Sequence, residues 1–241
     1  MFLATIKIPL IPALLCTTVV VMIVGYAIER LALRPLIGQP ILAAIMATLS
    51  LSLIMKGLCL FIWGSPIISF PQKVLPTKAA AFGDIFLAKE LIWTFIISIA
   101  VFLALLIFFR ITKTGLFMRA TAEGHDVAQA AGINVEQIFA VTWAIAALVA
   151  AVGGIMLGNR FGLGITTLPV LAGKAFPAVL FGGLESIPGA IIGGLVIGII
   201  ESLVGGYIDP KMSEVTPYII LLLVLLIRPE GLFGLKRIER I

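Results

Sequence analysis

The chain has 241 residues, 61% of them hydrophobic and only 12% charged, with a formal net charge of +5 and a mean hydropathy of +1.21. Soluble domains average about 25% charged and about 45–50% apolar residues, so one core could not hide this much apolar surface and the solvent has to be lipid. The modest positive charge sits in loops and tail, which fits the positive-inside bias of membrane proteins rather than a nucleic-acid partner.

Five apolar runs and one interrupted run follow in chain order. The first, residues 8–28, carries Pro9 and Pro12 near its start, where proline is tolerated. Lys7 precedes it and no small-residue cleavage site follows, so the start does not read as a signal peptide. The second run is 41–63, the third 91–109 and the fourth 137–157. Each is near the ~20 residues that cross ~30 Å of hydrocarbon. Asn134 with Gln137 resembles a capping box opening the fourth. Residues 174–206 form the interrupted run, and 217–227 the last. Thr216 followed by Pro217 predicts its N-terminus, and Arg228-Pro229 its end. Cys16 and Cys59 fall inside apolar runs, as buried small hydrophobic residues rather than disulfide partners or metal ligands.

Basic residues orient the runs. Arg30 and Arg34 follow the first; Arg110, Lys113 and Arg119 follow the third; Arg228, Lys236, Arg237 and Arg240 follow the last. All three groups share one side, the cytoplasmic one, if 174–206 enters and leaves from the other. Lys73, Lys78 and Lys89 make the bias imperfect. The N-terminus then lies outside.

The interruption is Gly182-Gly183-Leu184-Glu185-Ser186-Ile187-Pro188-Gly189, which predicts two helices, 175–181 and 190–205, around a turn. The first is too short to span alone. Two readings stay open: a broken helix at membrane depth lining a pathway, or a surface turn. Ala190, Gly194, Gly198, Ser202 and Gly206 stand four apart on one ridge, with Gly189 and Gly193 beside them, and predict tight packing against another helix of this chain or of a second subunit. Glu201 and Lys56 are ionisable residues within apolar runs. They read more readily as an ion pair or interfacial side chain than as pathway lining.

Between the third and fourth runs lies a polar, alanine-rich segment predicting a helix over 121–131. Thr121 would cap it, Glu123 and Asp126 favour its N-terminal half, and Gly132 would stop it. Its apolar side holds only Val127 and alanines, too little to anchor in lipid, whereas a small-residue surface suits a protein groove.

Residues 119–122 (Arg-Ala-Thr-Ala) and 130–134 (Ala-Ala-Gly-Ile-Asn) resemble the cytoplasmic loop of branched-chain amino-acid ABC transporter permeases of the LivH type. So, in order, do residues 28–36, 47–54, 181–190 and 228–234, the last reading Arg-Pro-Glu-Gly-Leu-Phe-Gly. The resemblance implies an all-α, polytopic bundle in the cell membrane with a broken or re-entrant helix pair. It implies one permease domain over 1–241 and a coupling loop at about 110–136. Arg119, Thr121, Glu123, Asp126, Ala128, Ala131 and Gly132 would dock on ATP-binding cassette subunits. Gly182, Gly183, Pro188, Gly189, Gly194, Gly198 and Glu201 would serve helix packing or the pathway. The implied partners are the ATPase, a second related permease, an extracytoplasmic solute-binding protein and the bilayer, with no cofactor. The solute would be a branched-chain amino acid or a related small polar solute.

Two departures accompany the resemblance. The family's upstream membrane segments, with an Asn-Phe-Ala-His-Gly stretch, do not precede the first run, and Lys56 stands where the family carries an uncharged polar residue. No G-x-x-x-x-G-K-[ST] occurs, since Gly173-Lys174 lacks the upstream glycine and the hydroxyl residue, so ATP hydrolysis would belong to a partner. A gradient-driven transporter or channel would want intramembrane acids, and only Glu201 offers one. The single histidine, His125, lies in the polar segment, which leaves no His-based catalytic site within the bilayer.

Overall fold

The computed structural model describes residues 10–70, 73–76, 79–82 and 85–234. Lys7, Ile8, Pro9, Lys78, Lys236, Arg237 and Arg240 lie outside them. Six helical stretches among the described residues are long and apolar enough to cross a membrane: Pro12–Leu36, Leu42–Trp63, Lys89–Ile111, Val135–Phe161, Ile187–Tyr207 and Pro210–Ile227. The fold is an all-α bundle of membrane-spanning helices; the described residues add a short hairpin, Ala79–Phe82 (β1) paired antiparallel with Ile85–Ala88 (β2) in the connection before the third span. Two compact units divide the chain, Met1–Leu168 and Pro169–Ile241.

In the first unit, α1 (Leu10–Ile28) packs on α6 (Val135–Phe161). The approach is close enough that a Cβ on Gly25 would stand 2.6 Å from Ala147 Cβ and 2.9 Å from the Trp143 carbonyl. By contrast α2 (Ile41–Trp63) and α3 (Lys89–Ile111) bury none of their apolar windows. Phe61 is 90% exposed, which is tolerable only where lipid is the solvent. Lys56 is exposed on α2. Cys16 is exposed and Cys59 half-buried, both as free thiols. The expectation of a buried Cys16 therefore fails, because α1 turns that face away from α6.

Beyond Ile28 the helix widens into a π-helical turn, Glu29–Leu33, then a 3-10 turn, Arg34–Leu36. Glu29 is fully buried there and meets Arg34, which also reaches Glu136 at the start of α6. That contact joins the 29–40 connection to the 110–136 connection, so the two basic loops do share one end. At the other end of α6, buried Asn159 accepts from the amides of Val74 (2.7 Å) and Leu75 (3.3 Å), and Ile68 bridges to Leu163.

Helix α7 (Thr167–Gly173) begins just before the second unit and leads through Lys174 into α8 (Ala175–Gly182). After a turn, α9 (Ile187–Tyr207) runs back. The Ser186 hydroxyl caps α9 by accepting from Gly189 N at 3.0 Å, and Pro188 sits in the first turn where its missing N–H is harmless. The helix is longer at both ends than the expected 190–205. The tail after the last span lies on the interruption: Leu232 N donates to Phe181 O (2.9 Å) and Phe233 N to Gly182 O (3.1 Å). The turn thus shares its end of the bundle with Arg228.

The last helix, α10 (Pro210–Ile227), does not begin at Thr216. Asp209 caps it, its carboxylate accepting from Lys211 N at 2.6 Å with Pro210 behind, and the polar turn Lys211–Glu214 hides this start from a hydropathy reading. Pro217 lies inside the helix, buried, and Thr216 spends its hydroxyl on the Met212 carbonyl (2.7 Å).

Candidate functional site

The polar segment folds as two helices rather than one. Thr112 caps α4 (Lys113–Glu123), its hydroxyl accepting from Gly115 N at 3.0 Å while donating to Phe108 O at 2.7 Å. The chain then folds so tightly back on α3 that a Cβ on Gly115 would approach the Phe108 carbonyl to 2.7 Å. Gly124, extended at φ −176°, separates α4 from α5 (His125–Ala130). Thr121 is therefore not a cap. It is buried inside α4, and its hydroxyl donates to Phe117 O at 2.8 Å. The helix began nine residues earlier because Thr112 already supplied the capping oxygen.

Gly132 does stop the second helix. At φ +81° it takes the left-handed conformation of a Schellman motif, with Gly132 N donating to Gln129 O (2.9 Å) and Ile133 N to Ala128 O (3.0 Å). Asn134 opens α6 two residues later, its side chain accepting from Gln137 N at 3.1 Å as the capping pattern predicts.

The seven coupling candidates separate by burial. Arg119, Glu123, Asp126, Ala131 and Gly132 are exposed. Thr121 and Ala128 are buried beneath them, with Val135 and Ile138 also buried at the root of α6, and the His125 ring packs 5.4 Å from that of Phe139. The result is a mixed-charge face on two short helices, braced from behind on α6. Val127, 75% exposed, is its one large apolar projection on α5.

The second group of candidates divides differently. Gly182 and Gly189 touch backbone to backbone: a Cβ on either would run into the carbonyl of the other. Gly193 packs against the Ala178 carbonyl in the same way. Gly183 takes φ +101° against Gly234 N, and Pro188 is exposed. The ridge buried within this unit is thus Gly189, Gly193 and Ile197. The expected packing ridge lies one residue round. Gly194 and Gly198 meet no described atom within 4 Å of a built Cβ, and with Leu195, Ile199, Ser202 and Leu203 they line a shallow open groove. Glu201 pairs with Lys174 at 2.7 Å, which is the ion-pair reading. Sequence reasoning passed over Lys174, Thr112 and the Glu29–Arg34–Glu136 group. Of these only Thr112, a hydroxyl residue two places after Arg110, carried a visible signal.

Residues 1–225 match the family described as branched-chain amino acid transport system / permease component. The chain belongs to this family. It is 34% identical over 223 residues to the high-affinity branched-chain amino acid transport system permease protein LivH of Salmonella typhimurium LT2, covering 90% of this chain and 72% of that protein. It is 30% identical over 250 residues to the corresponding permease BraD of Pseudomonas aeruginosa, covering 100% and 80%. Identity to the probable LivH of Methanocaldococcus jannaschii is 31% over 232 residues, covering 89% and 72%. No solved structure matches. This permease is a multi-pass protein of the cell membrane and the transmembrane subunit of an ABC importer.

Proposed function

We propose that this permease carries branched-chain amino acids into the cell, and that the exposed face of α4 and α5 is where ATP-binding cassette subunits grip it. Nucleotide-driven movement of those subunits presses on Arg119, Glu123, Asp126, Ala131 and Gly132. Thr121 and Ala128 transmit the push by packing the two helices on their own chain. The observation that carries this reading is the combination of a charged, small-residue face with a braced back at the end marked by basic residues. A passive connection would need neither a Schellman stop nor two caps within about twenty-five residues.

In this reading residues 1–241 work as one permease domain, beside a second related permease whose helix packs on the open Gly194–Gly198 ridge. An extracytoplasmic binding protein delivers the solute to the opposite end. The experiment is co-purification from native membranes with Asp126→Arg and Gly132→Leu variants. The wild-type chain should bring an ATPase and a second permease. The variants should keep the second permease and lose the ATPase. Full ATPase recovery with both variants would refute the docking face.

A further inference from the structure

The ion pair Lys174–Glu201 stands at a discontinuity. Helix α7 ends at Gly173, α8 begins at Ala175, and the Lys174 amide turns back to Leu171 O at 3.2 Å. The apolar stretch Thr167–Gly182 is otherwise uninterrupted. Its antiparallel neighbour α9 touches it at Gly182–Gly189 and at Ala178–Gly193, and continuing in that register sets Lys174 opposite Ile197, one turn short of Glu201, which the long Lys174 side chain reaches at 2.7 Å. Glu201 lies about 21 Å along the helix from Ile187 and about 9 Å short of Tyr207. The pair therefore sits within the span, away from the turn.

Charges at that depth are costly, and a well-packed apolar pair in their place is usually neutral or stabilising. Fold stability thus gives no reason for the pair. Its chemistry gives one. Each side chain is 27% exposed, and one hydrogen bond joins them. An ammonium has three donors and a carboxylate two oxygens, so both ends have capacity beyond their mutual contact. A free α-amino acid carries a carboxylate and an ammonium on one carbon, the complement of this arrangement.

We propose that Lys174 and Glu201 form a zwitterion-recognition site on the translocation pathway. Lys174 receives the solute carboxylate, and Glu201 receives its ammonium. The Lys174–Glu201 contact is the stand-in that keeps the two charges paired between solutes. The inference rests on the amino-acid transport reading above.

The test uses the assembled importer with its ATPase, partner permease and binding protein in vesicles, with radiolabelled leucine as probe. Lys174→Met/Glu201→Gln removes both charges together and leaves no uncompensated ion. The double variant should assemble yet import leucine at least about tenfold more slowly per ATP hydrolysed, the loss that follows when hydrogen bonds to charged groups go unmade. Assembly with wild-type import would make the pair a structural clasp and overturn the proposal. If the neutral pair fails to assemble, Lys174→Glu/Glu201→Lys restores a clasp with its charges exchanged. Wild-type import by that variant overturns the proposal, low import by the assembled complex supports it, and failure of both to assemble assigns the pair to folding and also overturns it. A wild-type complex that moves no leucine would overturn the transport reading itself, and the site with it, before any variant is compared.

Discussion

Arg34 grips the buried carboxylate of Glu29 with two nitrogens, Nε to Oε1 and Nη2 to Oε2, both at 3.4 Å. In an α-helix a residue five places on lies about 140° round the axis. The π-helical turn Glu29–Leu33 closes an Arg34 N to Glu29 O bond instead, and so brings the two onto one face. Replacing Arg34 by alanine would leave a carboxylate that is 1% exposed without its counter-charge. A loss of stability is expected, read as a lower unfolding midpoint in detergent. Arg34→Ala/Glu29→Gln should recover most of it.

The third Arg34 contact, Nη1 to Glu136 Oε2 at 3.1 Å, involves a carboxylate that is 59% exposed. Glu136→Gln should therefore change stability by no more than about 1 kcal/mol. A larger shift in the same unfolding assay would mean that the pair is more sheltered in the assembled transporter than in the single chain.

Two glycines on α9 should separate chain folding from subunit assembly. Gly193→Leu would drive a side chain into the Ala178 carbonyl, so unfolding and low membrane yield are expected. Gly198→Leu meets open space, so the monomer should keep its thermal stability while recovery of the second permease falls. Equal stability losses in both variants would place the Gly198 ridge against this chain.

Asn159 holds the connection at the far end of α6 through one oxygen shared by two amides. Asn159→Leu leaves both donors unpaired, and Leu75 is buried. An unmade buried hydrogen bond costs about 1–3 kcal/mol. Hydrogen exchange should quicken at residues 73–76 while α1 stays protected.

Ala128→Leu and Asp126→Arg lie within one turn of α5 but should fail differently. Ala128 is 2% exposed, so leucine there forces α5 off its support and should lower stability as well as ATPase recovery. Asp126 is exposed, and arginine there should remove the ATPase while the unfolding midpoint stays put.

Lipid as solvent was legible from composition, and four of the spans from run length, because a bilayer demands long apolar segments wherever they occur. Ends were less legible. Asp209-Pro210 and Thr216-Pro217 carry the same cap-then-proline signature, and hydropathy favoured the second although the helix starts at the first. Ridges were illegible for a related reason. Gly189–Gly193 and Gly194–Gly198 share a spacing of four and differ by about 100° of rotation, which only the neighbouring helix can decide. Long-range charge pairs such as Lys174–Glu201 and Arg34–Glu136 have no local pattern at all.

The amides of Leu232 and Phe233 occupy carbonyls that α8 leaves open at its C-terminal end. That helix is finished only by residues made about fifty positions later, some seconds afterwards at ribosomal speeds. The second unit therefore cannot mature as it emerges. Its early helix must wait in the insertion machinery or in lipid with two bare acceptors, and a nascent chain stalled after Ile227 would be a natural target for membrane quality control.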